Sequence, residues 1–304
     1  MRNLTYSNFC VLILLALIFT SIPVFAQPQD IQSISSEETF LLSEEKKLTH
    51  KTIKSFPIGD LFWPLIADPK QSQFFVSLRR YSTPDTNANA AAVGYGETFG
   101  VYRRADRENC CGFQINISGA LLAQFNLDAP SKDLVNADYI IGFPLTYRKG
   151  DTSMRFRIYH QSSHLGDEFL MHNNLQRINL SFESFEYLLS RQWRGCRVYG
   201  GGEYLFHREP AELKPQGLHG GLEYYRSACA AFSFPLVAGL DVKSWEENEW
   251  SVDTSFMIGT EIGAIGPGRR RLRFMAEWYK GHAPHGQFYR DWISYYGLGI
   301  YLGF

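Results

Sequence analysis

Beyond its N-terminus, this 304-residue chain has no run of the ~20 consecutive apolar residues that a membrane-spanning helix requires. An excess of one charge is also missing: 30 Lys+Arg stand against 31 Asp+Glu, for a net charge of -1. That balance argues against a nucleic-acid partner, whose phosphates call for a basic surface. Cysteine is scarce, with 5 residues, and no Cys-x-x-Cys spacing occurs, so no cysteine metal centre is encoded and no cofactor is expected, a divalent cation apart. No low-complexity tract or linker divides the chain. What it has in quantity is 45% apolar residues, 15% aromatic residues and 26 glycines. Such a chain is too apolar to be disordered, and the aromatic share points either to a large β core or to a protein facing something greasier than water.

The N-terminus sets the compartment. Met1-Arg2 is a short basic start, Phe9–Thr20 an apolar core, and Val24-Phe25-Ala26 offers small residues where a signal peptidase reads. Residues 1–26 therefore read as a signal peptide cleaved before Gln27. Cys10 lies inside the apolar core, away from any lipoprotein cleavage site. Of the remaining cysteines, adjacent Cys110 and Cys111 make a strained pair with each other. With Cys196 and Cys229 they read as small structural residues, with room for one disulfide.

Residues 27–72 read as a periplasmic N-terminal segment. It is polar to about residue 55 and then apolar and broken by prolines, Phe56-Pro-Ile-Gly-Asp-Leu-Phe-Trp-Pro-Leu-Ile-Ala-Asp-Pro69. Residues 73–304 carry a different pattern, runs of about ten residues with period two. Twelve strands are expected, near 73–82, 91–105, 111–126, 137–148, 152–164, 177–190, 195–207, 215–226, 229–243, 250–263, 270–281 and 288–304. Short turns such as Lys149-Gly150-Asp151 alternate with longer polar loops such as 165–174. This rim asymmetry is a property of outer-membrane barrels. The fold class is therefore all-β: an antiparallel transmembrane β-barrel of about twelve strands in the outer membrane, with both termini on the periplasmic side.

The last strand supports that placement. Trp292, Tyr296, Leu298, Ile300, Leu302 and Phe304 fall on one face, and Gly297, Gly299, Tyr301 and Gly303 on the other. A C-terminal aromatic on an apolar row resembles the signal read by barrel assembly machinery, so that machinery is an expected partner through Phe304. In 270–281, Leu272, Phe274, Ala276 and Trp278 alternate with Arg271, Arg273, Glu277 and Tyr279. A membrane barrel puts the apolar row outside and the charged row inside, which predicts a narrow lumen filled by ion pairs and tyrosines.

One constellation has chemical potential. In Thr152–Phe169, alternation puts Met154, Phe156, Ile158, His160, Ser162 and His164 on the lipid side and Arg155, Arg157, Tyr159, Gln161 and Ser163 in the lumen. A polar pair on a lipid-facing row is costly and asks for a reason. His160 can act as base for Ser162 if a third group orients the ring, and Asn174 is the candidate for that role. The same residues also read as a polar band where the strand leaves the membrane. Asp167 and Glu168 offer carboxylate oxygens to a divalent cation such as calcium. Ser163 and His164 are candidate binding residues, and His282 and His285 in the loop near 281–287, with Lys280, could contact phosphate or a metal; outer-membrane lipid and lipopolysaccharide are the expected partners. Asn116-Ile117-Ser118 matches a glycosylation sequon but lies within a strand.

With these residues in view, the chain resembles the DUF1207 family (domain of unknown function) of outer-membrane proteins over roughly 56–304. The carrying segments are Phe56–Pro69, Asn136-Ala-Asp-Tyr139, Tyr159-His-Gln-Ser-Ser-His-Leu-Gly-Asp-Glu-Phe169, His207-Arg-Glu-Pro210, Asp241–Asn248, Gly281-His282 and Gly286-Gln-Phe-Tyr289. The resemblance implies an exported barrel and brings no activity with it. His160-Gln161-Ser162 is also similar to the His-x-Ser of outer-membrane phospholipase A and of the lipid A deacylases. In the phospholipase Asn-Gly follows the nucleophile, whereas here Ser163-His164 follow. The expected function is an envelope, binding or transport barrel, with an outer-leaflet lipid-ester hydrolase as the alternative.

Overall fold

The computed structural model describes residues 52–83, 87–173, 178–227, 234–263 and 271–303. Residues 1–26, expected to be a signal peptide, lie outside the described residues, as do Asn174, Cys229 and Phe304. Thirteen antiparallel strands form one sheet. They are β1 (Thr52–Ser55), β2 (Phe74–Ser82), β3 (Asn87–Ala105), β4 (Cys111–Asn126), β5 (Leu134–Lys149), β6 (Thr152–Leu165) and β7 (Leu180–Trp193). Then follow β8 (Cys196–Glu209), β9 (Gln216–Arg226), β10 (Leu236–Trp245), β11 (Val252–Gly263), β12 (Arg271–His282) and β13 (Trp292–Gly303). Strand β13 pairs with β2 from Ser294↔Ser82 to Leu302↔Phe74, so β2 to β13 close into the expected twelve-stranded barrel. A short helix, α1 (Asp167–Asn173), sits in the β6–β7 connection.

Strand ends fall within a few residues of the expected ones, with two instructive shifts. The strand expected from 229 begins at Leu236, just after Pro235, which has no N–H to give a ladder. The strand expected from 288 begins at Trp292, because Gly286–Phe288 forms a 3-10 turn that bonds into the lumen instead.

Alternation is as read from the sequence. Ile141, Phe143, Phe156, Ile158, Phe274, Trp278, Leu298 and Ile300 are exposed on the outer face. The inner face carries ion pairs: Arg79–Glu277 at 2.8 Å, Arg155–Glu186 at 2.8 Å, Arg197–Glu223 at 3.0 Å and Arg273–Glu261 at 2.7 Å.

The segment read as periplasmic behaves differently. After β1 joins the end of β3 (Ser55↔Tyr102), residues 56–73 turn into the lumen, where Leu61, Phe62, Leu65, Ile66 and Ala67 are buried. The physical reason is that this proline-broken run has apolar side chains with no strand period, and the lumen offers partners for both its side chains and its backbone. Phe62 lies between the Arg155 and Arg197 guanidiniums, 4.9 and 4.5 Å from its ring centre. The Ile66 N–H donates to Glu223 Oε1 at 2.8 Å, and Arg148 Nε donates to the Leu61 carbonyl at 2.8 Å. Lys243 pairs with Asp68 at 2.6 Å, and Lys70 with Asp138. The wall makes room: a Cβ on Gly239 would stand 2.9 Å from that of Ile66. The segment is a plug.

Candidate functional site

Strand β6 starts at a short turn and ends at the long connection that holds α1, so His160 and Ser162 lie in its half nearer the long loops. The register puts His160 directly opposite Glu183 of β7, and Ser162 between Tyr139 of β5 and Ser181 of β7. All are on the outer face. His160 Nδ1 lies 2.8 Å from Glu183 Oε1. The other carboxylate oxygen of Glu183 lies 2.5 Å from Nδ1 of His207 on β8, where a bulge between Glu183 and Ser184 brings the next strand into line. One carboxylate therefore holds two imidazoles by Nδ1. With a proton on Nδ1, Nε2 is the free basic nitrogen, the form a general base requires. The ring's hydrogen bond is to Glu183 and not to Ser162. Exposed Ile141, Phe143, Ile158, Phe185 and Tyr204 line the surface toward the short turns.

Glu183 is the member of this cluster that sequence reasoning missed. Its signal is a lone carboxylate on the apolar row Glu183, Phe185, Tyr187, but matching it to His160 needs the β6–β7 register. Asn174, the candidate for the orienting role, lies outside the described residues.

The other expected residues have separate places. His164 packs edge-on against Tyr139, ring centres 5.6 Å apart. Asp167 and Glu168 open helix α1 at the surface. In the neighbouring loop, hydrogen bonds from Ser131 and then from His172 hold the Asp133 carboxyl below its ordinary range. His282 bonds to Ser251 Oγ at 2.9 Å and packs on Trp292, while His285 Nε2 meets the Tyr81 hydroxyl at 3.0 Å. Burial lowers the His285 pKa to about 3. That ring is neutral at ordinary pH and offers an anion no charge.

Ser163 points into the lumen, where its hydroxyl reaches Asp138 Oδ1 at 2.5 Å and Asn136 Oδ1 at 3.0 Å. The Gly286 N–H donates to Asp138 at 3.2 Å, and Gln287 Nε2 to the Ser163 carbonyl at 2.7 Å. Together with Lys70 from the plug, segments far apart in sequence meet at the long-loop end of the lumen. A cavity of about 130 Å³ lies beside this network, lined by Tyr159, Lys243, Trp245 and His282 among others. Among the described residues one group has the spacing of a cation site: Asp68, His219 and Asp241, with ligand atoms within 4.8 Å of one another. The Lys243 ammonium, 2.6 Å from Asp68, already supplies a positive charge there.

A family model described as "Protein of unknown function (DUF1207)" matches residues 17–304. The chain belongs to the DUF1207 family. No match to a curated protein was found. This DUF1207 barrel is similar in fold to outer membrane phospholipase A from Escherichia coli, with a TM-score of 0.54, 11% identity, and coverage of 76% of this chain and 90% of that one. It is likewise similar to the Salmonella typhi outer membrane phospholipase dimer with bound calcium, with a TM-score of 0.54 and 10% identity over 79% of this chain and 91% of that one. At such identities the likeness is one of fold: an outer-membrane-type barrel.

Proposed function

We propose that this DUF1207 protein is an outer-membrane hydrolase of lipid acyl esters, with Ser162 as nucleophile, His160 as general base and Glu183 as the group that orients the ring. The observation that carries this reading is the 2.8 Å contact between His160 Nδ1 and Glu183 on the outer face, two residues from Ser162. A carboxylate–imidazole–hydroxyl order is the arrangement that activates a serine. Its place also suits the substrate: an ester bond sits at the boundary between acyl chains and headgroups, and the half of β6 nearer the long loops meets that boundary. In the step, Ser162 Oγ attacks the ester carbonyl and its proton passes to His160 Nε2. The same proton goes to the departing alcohol, and water then releases the acyl group from Ser162. The phospholipases of similar fold support the reading as analogy.

The experiment is lipid analysis of membranes carrying the wild type, Ser162→Ala, His160→Ala or Glu183→Gln. Acyl release above the empty-vector level is expected only for the wild type and, weakened by about a hundredfold or more, for Glu183→Gln. Equal release from all four overturns the reading. A second reading, a non-catalytic envelope or binding barrel, draws on the charged cavity between plug and wall.

A further inference from the structure

Strand β2 begins at Phe74, one residue before the Phe75↔Gly94 pair, and β1 takes over the same edge of β3 only at Tyr102. Between them, residues 95–100 of β3 have no ladder partner on that edge among the described residues. The plug enters the barrel through this notch. A Cβ on Gly100 would stand 2.5 Å from the Pro57 carbonyl oxygen, so the wall there is fitted to the chain that passes it.

A cavity of about 610 Å³ runs through the notch from the outer face to the lumen. Its outer mouth carries Phe56 and Phe99, which are 79% and 65% exposed. Its inner end is lined by Ser72, Arg157 and Arg271, which are 8%, 7% and 5% exposed. Each of these three has a buried polar atom with no hydrogen-bond partner: Ser72 Oγ, Arg157 Nε and Arg271 Nε. Arg157 is otherwise paired with Glu186, whereas the Arg271 side chain has no ion pair or hydrogen bond among the described residues and only the Tyr225 ring hydroxyl in its electrostatic neighbourhood. The two carboxylates bordering the cavity are engaged elsewhere: Asp60 by the Thr146 hydroxyl and the Phe62 N–H, Glu97 by the Thr98 N–H. A buried guanidinium with no counter-charge among the described residues is costly.

We propose that this notch is a lateral binding site for the phosphate of a lipid headgroup, held by Arg271 and Ser72, with the acyl chains leaving past Phe56 and Phe99. A phosphate presents several oxygens around one centre, so it can meet a guanidinium fork and a hydroxyl together. The opening through the wall, with aromatic rings at its mouth, selects an amphiphile. This site is separate from Ser162 and does not depend on the hydrolase reading.

The test uses the full chain folded in alkyl maltoside micelles and titrated calorimetrically with dihexanoyl phosphatidylglycerol. Saturable binding is expected, weakened about tenfold or more by Arg271→Gln and by Ser72→Ala. Arg271→Lys is expected to recover part of it. Heat-modifiable migration on gels confirms that each variant is folded, and Ser162→Ala is expected to bind as wild type. Dihexanoylglycerol, which lacks the phosphate, is expected not to bind. No saturable binding, equal binding of dihexanoylglycerol, equal binding of inorganic phosphate, or folded Arg271→Gln that binds as wild type would each overturn the proposal.

Discussion

At the residue scale, the fate of single protons separates histidines that look alike in sequence. His160 and His207 share Glu183 at the surface, while His285 is enclosed between Tyr81 and the loop. Burial lowers the His285 pKa from 6.5 to about 3, so the folded state excludes a proton that the unfolded chain accepts below about pH 6.5. The stability this neutral ring confers is therefore whole above pH 6.5 and is lost progressively as pH falls toward 3. Urea midpoints measured at pH 7 and pH 4 are expected to differ less for His285→Gln than for wild type. An unchanged difference would show that other groups set the acid response.

The element scale is where the sequence speaks most and least. The period-two rows of β2 to β13 were readable because each strand carries its own pattern, exposed apolar residues outside and polar, charged or small residues and tyrosines inside. The plug was not readable as a plug. Its apolar residues mark it as buried, but Pro57, Pro64 and Pro69 erase any period, and its partners are spread from Arg103 to Lys243. Glu183 escaped for a related reason: the bond to His160 joins two strands, and only their register fixes it. His160 and Ser162, one strand's own row, were legible. The plug's contribution can be measured at Phe62. Truncation to Ala removes a fully buried ring and two guanidinium contacts, and is expected to cost about 3–5 kcal/mol in the unfolding free energy of the folded barrel in micelles. A cost under about 1 kcal/mol would mean that the segment rests in the lumen without being held there.

For the whole molecule, a filled lumen bears on transport. The mostly buried run from Leu61 to Ala67 and the ion pairs around it occupy the path between the two rims. In planar bilayers the wild type is expected to be silent or to pass only small currents. Deleting residues 56–72 is expected to raise single-channel conductance severalfold, toward the value for an unobstructed twelve-stranded barrel. Equal conductance with and without these residues would place the ion path elsewhere.

The plug precedes every wall strand in the chain, and the last wall strand is the one that closes the seam. A lumen sealed by the β13–β2 ladder would admit the plug only through the notch or the rims. Short sequence separation thus favours an order of construction. The plug's first partners, on β4 and β5, exist early, and the wall can wrap around it as around a mandrel. The closing pairing spans nearly the whole chain and carries the largest entropic cost of loop closure. A core already bound to both halves of the wall shortens that search, so a segment that fills the finished barrel is also suited to be the template on which it is rolled.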